Sequence, residues 1–487
     1  MTIKDLKPSG VWNAFYSLTQ IPRPSGHTEK VASFLVQFAK DNGAEARIDE
    51  AGNVIMEVPA TTGYEDRETV ILQAHMDMVP QKTADSNHNF ETDPIETWID
   101  GDWVRAKNTT LGADDGMGIA IAMAIVADKS IPHGPIEVLI TRDEETGMFG
   151  AFAMKDDELK GNLLINIDSE TEGEITIGCA GGMDISVSME YKEELLPADY
   201  SAYKITIGGL LGGHSGLEIN QGRANANKLM ACILYQAVNK CGALISTWTG
   251  GNMRNAIPRD GEAVVAVPND KKDCLAKVVN TLKEIIAAEY KDIEKQGFAI
   301  ECKECDLPAA IIPEPIGVNI VSAVMAAHDG VLRYIPTIPE IVETSCNFSI
   351  IEIAGGKLSF SLLARSSSDT MKEFLCEELT ACFNMAGMSV KLSGGYSGWN
   401  PNPSSPLVAL MSKVYKDMYG QDAKVLVVHA GLECGIFGPK YPKMDMASVG
   451  PTLLSPHTPN ERCYIPSVDK SFNYICEVLK SVGVKKV

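Results

Sequence analysis

The chain has 487 residues, of which 45% are hydrophobic and 22% are charged. This length exceeds one ordinary domain, and the composition is that of a globular protein with a large core. A formal net charge of −21 disfavours nucleic acid and anionic membranes as partners, because both attract basic surfaces.

The sequence has no apolar segment long enough to suggest a membrane span, and residues 1–10 lack the pattern of a signal peptide. The twelve cysteines follow no regular framework, so we expect reduced thiols in a cytoplasmic protein. Cys302 and Cys305 have the spacing of a zinc-ligand pair. Because no second pair lies nearby, we expect this spacing to be incidental.

The predicted elements in the first part of the chain alternate between strands and helices. A helix follows Ser25, and a hairpin turns around Gly52. Apolar strands and one apolar helix come next, at residues 70–72, 118–127, 136–140 and 163–167. This alternation predicts a mostly parallel sheet, and ligands bind at the carboxyl ends of the strands in such sheets.

A polar segment at residues 189–197 interrupts this pattern. Alternating strands and a long helix at residues 275–295 follow, and the earlier pattern resumes at residues 425–428. We therefore predict an α/β domain in two segments, with an α+β domain inserted between them. The predicted bounds are residues 1–186 and 395–487 for the first domain and 187–394 for the inserted one.

Two adjacent carboxylates, Glu144 and Glu145, follow the apolar strand at residues 136–140. Like charges in contact repel, so a cation is expected beside them. A metal would use one Glu as a ligand and leave the other free to handle a proton.

We expect the other acids and histidines to lie at the carboxyl ends of strands of this single sheet. Taken alone, each has a simpler interpretation: His75 and Asp77 would form ordinary hydrogen bonds, Asp114 would cap a helix, and His457 would lie on a surface loop. Considered together with Asp168 and the Glu pair, these residues indicate a site for two metal ions. Three ligand carboxylates, a bridging hydroxide and two neutral imidazoles would complete the shells of two divalent ions.

The motifs His75-x-Asp77, Gly112-Ala113-Asp114, Asp143-Glu144-Glu145, Asp168 and His457 resemble, in this order and spacing, the M20 family of co-catalytic zinc peptidases. Longer strings are similar to those of dipeptidases within that family, including ones that cleave aminoacyl-histidine substrates. These strings lie at residues 73–79, 110–116, 166–170 and 429–434.

The resemblance implies a role for each metal-site residue. Asp114 would bridge two Zn²⁺ ions, which Co²⁺ or Mn²⁺ could replace. His75 and Asp168 would complete the shell of one ion, and Glu145 and His457 that of the other.

The resemblance also implies roles for residues that bind no metal. Glu144 would act as general base and acid on the bridging water, and Asp77 would orient neighbouring groups. Asp115 would not bind metal, and the peptide bond between Asp114 and Asp115 would be cis.

In the inserted domain, three residues match positions of the family's lid that contact substrate. His214 would stabilise the oxyanion of the reaction intermediate. Asn255 and Arg365 would contact the peptide substrate, and the guanidinium of Arg365 would bind the carboxylate of the peptide. From the sequence alone, other interpretations are open: turn residues for His214 and Asn255, and a surface charge for Arg365.

The resemblance thus implies a zinc-dependent dipeptidase that hydrolyses dipeptides with free termini, including those ending in His. The implied fold is a mostly parallel α/β catalytic domain in two segments with an inserted α+β lid, through which a homodimer is expected. The alternatives are a related tripeptidase or N-acyl amino acid amidohydrolase, and a non-catalytic metal-binding scaffold. Small peptides are the expected partners.

Overall fold

The computed structural model of the protein describes residues 2–485, and the chain divides into two compact units. The first unit comprises the chain up to Gly178, Trp399–Val427, and the chain from Leu432 onward. The second comprises Cys179–Gly398 and Val428–Gly431. The predicted inserted domain, residues 187–394, lies within the second unit.

The described residues contain α-helices at each position where apolar periodicity predicts one. None of the helices within residues 2–485 combines the length and the apolar character needed to cross a lipid bilayer. The helices are α1 (Ser9–Thr19), α2 (Glu29–Asp41), α3 (Ala113–Ala127), α4 (Phe149–Ala153), α5 (Ala226–Cys241), α6 (Lys272–Tyr290), α7 (Glu314–Ala326), α8 (Asp369–Met385), α9 (Pro406–Tyr419), α10 (Cys434–Lys440) and α11 (Ile465–Ser481).

The strands fall into three stretches of the chain. The first stretch contains β1 (Glu45–Ile48), β2 (Val54–Val58), β3 (Val70–His75), β4 (Thr97–Asp100), β5 (Trp103–Ala106), β6 (Ile136–Thr141), β7 (Leu163–Asn166) and β8 (Glu174–Cys179). The second contains β9 (Gly181–Glu190), β10 (Glu194–Leu195), β11 (Tyr200–Gly208), β12 (Gly213–His214), β13 (Leu244–Gly250), β14 (Ala256–Ile257), β15 (Gly261–Pro268), β16 (Ala299–Cys305), β17 (Ala310–Ile311), β18 (Gly330–Ile335), β19 (Ile338–Ala354), β20 (Lys357–Ser366) and β21 (Ser389–Tyr396). The third contains β22 (Lys424–Val428), β23 (Asp445–Ser448), β24 (Leu453–Leu454) and β25 (Arg462–Tyr464).

The main sheet of the first unit has the strand order β1-β2-β6-β3-β7-β23-β8-β22. Its central strands β6, β3, β7 and β23 are parallel, while β1, β2 and β8 pair antiparallel with their neighbours. In this register His75 lies opposite Thr141, and Gln73 lies opposite Asn166. The carboxyl ends of three strands therefore meet at one edge of the sheet.

Two other site residues lie in segments next to a smaller sheet of the first unit, which has the order β24-β25-β5-β4. Asp114 lies in the first turn of α3, downstream of β5, and His457 lies in the connection between β24 and β25. The expectation that all the site residues follow strands of a single sheet is therefore wrong for these two. Periodicity indicates that a segment is a strand but not which strands it pairs with, so it could not reveal this second sheet.

The helix α3 is buried along nearly its whole length, and it packs against α1 and β3. Its sequence is apolar on every face, as expected for a helix surrounded by other elements. This packing fixes the start of α3, and with it Asp114, relative to the carboxyl end of β3.

The second unit is built on a sheet with the order β16-β11-β15-β13-β19-β20-β9-β21, to which β18 adds beside β19. The pairings within this sheet are antiparallel. Its core includes Phe348, Phe360 and Phe383, whose ring centroids lie 5.5–6.2 Å apart. Burying each such side chain stabilises the fold by roughly 1.5–3 kcal/mol.

Cys241 at the end of α5 and Cys274 in α6 are joined by a disulfide, with their Cα atoms 5.7 Å apart. The expectation that all cysteines are reduced is therefore wrong for this pair. The two residues are separated by 33 positions, and only the packing of α5 against α6 brings them together. Cys302 and Cys305 both remain free thiols.

Candidate metal centre

The five residues expected to bind metal lie together in the first unit, arranged around Asp114. Oδ1 of Asp114 is 3.2 Å from Nε2 of His75, which is 3.5 Å from Oδ1 of Asp168. Oδ2 of Asp114 is 3.0 Å from Nε2 of His457, which is also 3.0 Å from Oε2 of Glu145. The two oxygens of one carboxylate thus face two separate sets of ligand atoms.

The charges in this cluster are concentrated and largely buried. Burial raises the pKa of Asp168 to about 7. Burial opposes protonation of His75, but the carboxylates of Asp168 and Asp114 raise its pKa well above the usual range. Hydrogen bonds to Asp114 and Glu145 raise the pKa of His457 to about 11. The carboxylates thus favour the positively charged forms of His75 and His457, and a bound cation would supply that positive charge instead.

The residues present fit divalent cations. Two of the groups that could hold an ion are His75–Asp114–Asp168 and Asp114–Glu145–His457, each with ligand atoms within 4.8 Å of one another. Oε1 of Glu145 and Nδ1 of His75 are buried and have no hydrogen-bond partner within residues 2–485. Carboxylate oxygens and imidazole nitrogens are the donors that zinc accepts in proteins.

Glu144 lies beside this cluster, close to ligand atoms of His75 and Glu145. Together with His75 and Glu145 it forms a third group of atoms within 4.8 Å of one another. Burial raises the pKa of Glu144 well above the usual range, and the charges of Asp168 and Glu145 add to this effect. A carboxyl group with such a pKa is suited to accept and release a proton.

Asp77 holds the turn that carries the two glutamates. Its Oδ1 accepts a hydrogen bond from the backbone N–H of Glu144 at 3.0 Å, and its Oδ2 accepts one from that of Glu145 at 3.3 Å. Oδ2 also accepts the hydroxyl of Ser25 at 2.7 Å, and Oδ1 is 3.5 Å from Nδ1 of His75. One buried carboxylate therefore contacts three residues of the cluster at once. Sequence reasoning did not identify Ser25.

Asp115 turns away from the ligand groups. Its Oδ2 accepts the backbone N–H of His75 at 3.2 Å, and its Oδ1 accepts that of Gly118 at 3.1 Å. The peptide bond between Asp114 and Asp115 is cis. The adjacent carboxylates thus have different partners.

Glu433 is a buried acid for which the sequence indicated no separate role. Its Oε2 accepts hydrogen bonds from Gln73 Nε2 at 2.5 Å and Thr141 Oγ1 at 2.6 Å, and burial raises its pKa to about 8. Gln73 in turn accepts a hydrogen bond from Asn166 Nδ2 at 2.6 Å. This network joins β3, β6 and β7 just below the cluster, but isolated polar residues in apolar strands gave no usable signal of it.

His214 and Asn255 are neighbours in the second unit. His214 lies in β12, which pairs with β14, and the carbonyl of Asn255 accepts the N–H of Ser215 at 2.8 Å. Nδ1 of His214 accepts the backbone N–H groups of Gly216 and Leu217, each at 3.1 Å. The ring proton therefore lies on Nε2, which is free to donate. Burial, and then the charge of Arg365, lower the pKa of His214, which favours the neutral ring.

Arg365 is only 6% exposed, so the interpretation of it as a surface charge is wrong. Its NH1 group donates to the Tyr396 hydroxyl at 3.3 Å, while its Nε has no hydrogen-bond partner within residues 2–485. No carboxylate of the described chain lies within 4 Å of the guanidinium. The Tyr396 ring can approach because β9 carries Gly182, where a Cβ atom would lie 2.5 Å from it. A buried arginine without an acidic partner is suited to bind an anionic group.

Comparisons with known proteins agree with the resemblance drawn from the motifs. The cytosol non-specific dipeptidase of Escherichia coli (strain K12) is 40% identical over 483 residues, which cover 99% of each chain. The crystal structure of aminoacylhistidine dipeptidase from Vibrio alginolyticus is 39% identical with a TM-score of 0.93, covering 100% of this chain and 99% of that chain. A tripeptidase from Staphylococcus aureus shares the fold at 16% identity, with a TM-score of 0.56 and coverage of 98% of each chain.

The model of peptidase family M20/M25/M40 matches residues 71–481. This range includes the five residues arranged around Asp114 and all three candidate residues of the second unit. The resemblance drawn from the motifs is confirmed, and the chain belongs to peptidase family M20/M25/M40.

Proposed function

We propose that the protein is a two-metal dipeptidase that hydrolyses dipeptides with free termini, including those that end in His. The observation that carries this proposal is the placement of the two Asp114 oxygens against two separate sets of ligand atoms. The substrate class is supported by the two relatives that match the whole chain, because both are named as dipeptidases.

The proposed metal is zinc, for which Co²⁺ or Mn²⁺ can substitute, because imidazole and carboxylate ligands suit all three ions. His75, Asp114 and Asp168 would hold one ion, and Asp114, Glu145 and His457 the other. When bound, such ions polarise a carbonyl group and make water more acidic.

Glu144 is proposed to accept a proton from the attacking water and to deliver it to the leaving amine. Asp77 holds the turn that carries Glu144 and Glu145 by accepting both of their backbone N–H groups. A misplaced carboxylate would lose reach to the proton, so we assign Asp77 a positioning role.

The residues of the second unit are proposed to bind the dipeptide. The Nε2–H group of His214, left free by the hydrogen bonds at Nδ1, would donate to the oxyanion. Arg365, assisted by Asn255, would bind the C-terminal carboxylate, which supplies the missing acidic partner.

We also propose that the second unit is the lid and the dimerisation domain of a cytoplasmic homodimer. The unit comprises Cys179–Gly398 and Val428–Gly431. Sedimentation equilibrium tests the oligomeric state, and a monomeric mass at working concentration would contradict this assignment.

Removal of metal is expected to abolish hydrolysis, because both proposed shells are needed to polarise the carbonyl and acidify the water. The test is a panel of dipeptides, tripeptides and N-blocked dipeptides, assayed after chelation and again after addition of zinc, cobalt or manganese. Cleavage of the dipeptides alone, restored by metal, is expected. Preference for tripeptides or N-blocked substrates would favour the alternative activities, and metal binding without hydrolysis would favour a scaffold.

Stability of the metal-free protein is expected to fall as pH rises from about 5 to about 8. The pKa of Asp168 is about 7 in the fold and about 3.9 when unfolded, so the folded state keeps a proton that the unfolded state releases. His457, with a pKa of about 11, keeps its proton above the unfolded value of about 6.5 and acts in the same direction. Thermal unfolding of chelated and zinc-loaded protein checks this, and a flat profile for the chelated protein would contradict it.

A further inference from the structure

Glu461 is a buried carboxylate that binds the loop leading into Asp114. Its Oε2 accepts the backbone N–H groups of Leu111 at 2.8 Å and Gly112 at 3.1 Å. Its Oε1 accepts those of Ala113 at 2.7 Å and Asp114 at 3.3 Å. Four successive amides therefore point at one side chain, which is only 2% exposed.

This arrangement requires an unusual turn of the backbone. Gly112 has φ +68° and ψ +30°, the left-handed conformation that glycine adopts without strain. Consecutive amides in such a turn form a concave site for an anion. These four amides satisfy both carboxylate oxygens of Glu461, as a buried polar group requires.

Arg23 holds the same loop from the other side. This side chain is also 2% exposed, and its NH2 group donates to the carbonyl of Gly112. Its NH1 group donates to the carbonyls of Met76 and Asp77, each at 3.0 Å. A Cβ atom at Gly116 would clash with NH2 of Arg23, so glycine is required there.

These contacts connect the segments from which the cluster is assembled. Glu461 follows His457 by four positions, and Arg23 binds the two carbonyls that directly follow His75. We propose that Glu461 and Arg23 are positioning residues that fix the Asp114 carboxylate between His75 and His457 before metal binds. This inference rests on the proposed metal centre, but it concerns affinity for metal rather than the reaction.

The chain offers a matched control for a buried glutamate that binds only backbone amides. Glu137 is 3% exposed, and it accepts the N–H groups of Lys160 at 2.9 Å and Gly161 at 2.7 Å. It lies near the start of β6, whereas the cluster lies beyond the end of that strand. Because Glu137 makes no contact with the Asp114 loop among its hydrogen bonds, we expect loss of its carboxylate to leave that loop intact.

The experiment compares zinc affinity in Glu461→Gln and Glu137→Gln by competition with a chromophoric chelator. Glutamine presents an N–H₂ group to backbone donors, so the loop should shift away from it. We expect Glu461→Gln to weaken zinc binding by roughly 10- to 100-fold, the usual effect of losing a group that orients a ligand. We expect the absorption spectrum of the cobalt-loaded variant to change, while Glu137→Gln keeps both wild-type properties.

The outcomes separate this inference from the proposed function. Wild-type zinc affinity and cobalt spectrum in folded Glu461→Gln would overturn the inference even if the enzyme cleaves dipeptides. Weakened binding in that variant alone would support it even if the wild-type protein cleaved no dipeptide. If Glu461→Gln does not fold, the same measurements are made on Glu461→Asp. This variant keeps the carboxylate, but the shorter side chain cannot reach all four amides. The expected direction is the same, with a smaller loss of affinity.

Discussion

Glu144→Gln is expected to lower kcat on dipeptides by about 100- to 10,000-fold, the range typical of losing a general acid–base group. The amide has the same shape as the carboxylate, but it cannot accept a proton from water. Both metals should remain bound, because the proposed ligand in this turn is Glu145. Steady-state kinetics and metal content measured on the same preparation check this result.

Asp114→Ala provides the contrast, since it removes the carboxylate shared by both groups of ligand atoms. This variant should lose metal as well as activity. If Glu144→Gln instead emptied the site while the remaining metal-loaded fraction was fully active, the roles of the two glutamates would be misassigned.

Arg365→Ala is expected to weaken transition-state binding of free dipeptides by roughly 2–4 kcal/mol, as when a buried charge pair is broken. The guanidinium is buried, and it has no carboxylate partner in the described chain, so the substrate carboxylate is the proposed partner. Measurement of kcat/KM on a dipeptide and on its C-terminal amide tests this. The wild-type enzyme should cleave the amide poorly, and the substitution should have little further effect on it.

Arg47→Ala serves as the control for this comparison. Arg47 is an arginine at the edge strand β1, and it pairs with Glu158. This variant should retain the wild-type preference for the acid over the amide. Equal losses on acid and amide in Arg365→Ala would show that Arg365 does not recognise the carboxylate.

Three of the five candidate metal ligands could be placed together from strand pattern and a general rule about parallel sheets. The apolar strands before His75, Glu145 and Asp168 are visible in the sequence, and their parallel register places their carboxyl ends together. Once these strands are assumed to share a sheet, extending the observed pairing of Gln73 with Asn166 by two residues puts Asp168 beside His75. This part of the site follows from local periodicity and a general rule about parallel sheets.

The remaining part depended on contacts that leave no local pattern. Asp114 and His457 come from segments next to the smaller sheet. Their residue types and the family resemblance related them to the other ligands, but no strand pattern placed them there. Arg23 and Glu461 bind backbone groups, which every residue possesses, so their partners cannot be inferred from residue types.

The disulfide between Cys241 and Cys274 shows the same difficulty in the second unit. Composition favoured reduced thiols, because scattered cysteines in a long chain are common in reducing compartments. The helices α5 and α6 were each visible as apolar periodicities, but their mutual packing was not. Pairing of cysteines depends on that packing rather than on the spacing in the chain.

The order of the ligands along the chain constrains when the centre can be completed during synthesis. His75, Asp114, Glu145 and Asp168 all precede the second unit, whereas His457 follows it. A nascent chain that has emerged only through the second unit therefore carries the complete group His75–Asp114–Asp168. The group Asp114–Glu145–His457 still lacks its histidine. A polypeptide released at that stage lacks the imidazole of the second group, so the proposed two-metal centre requires a chain translated through His457.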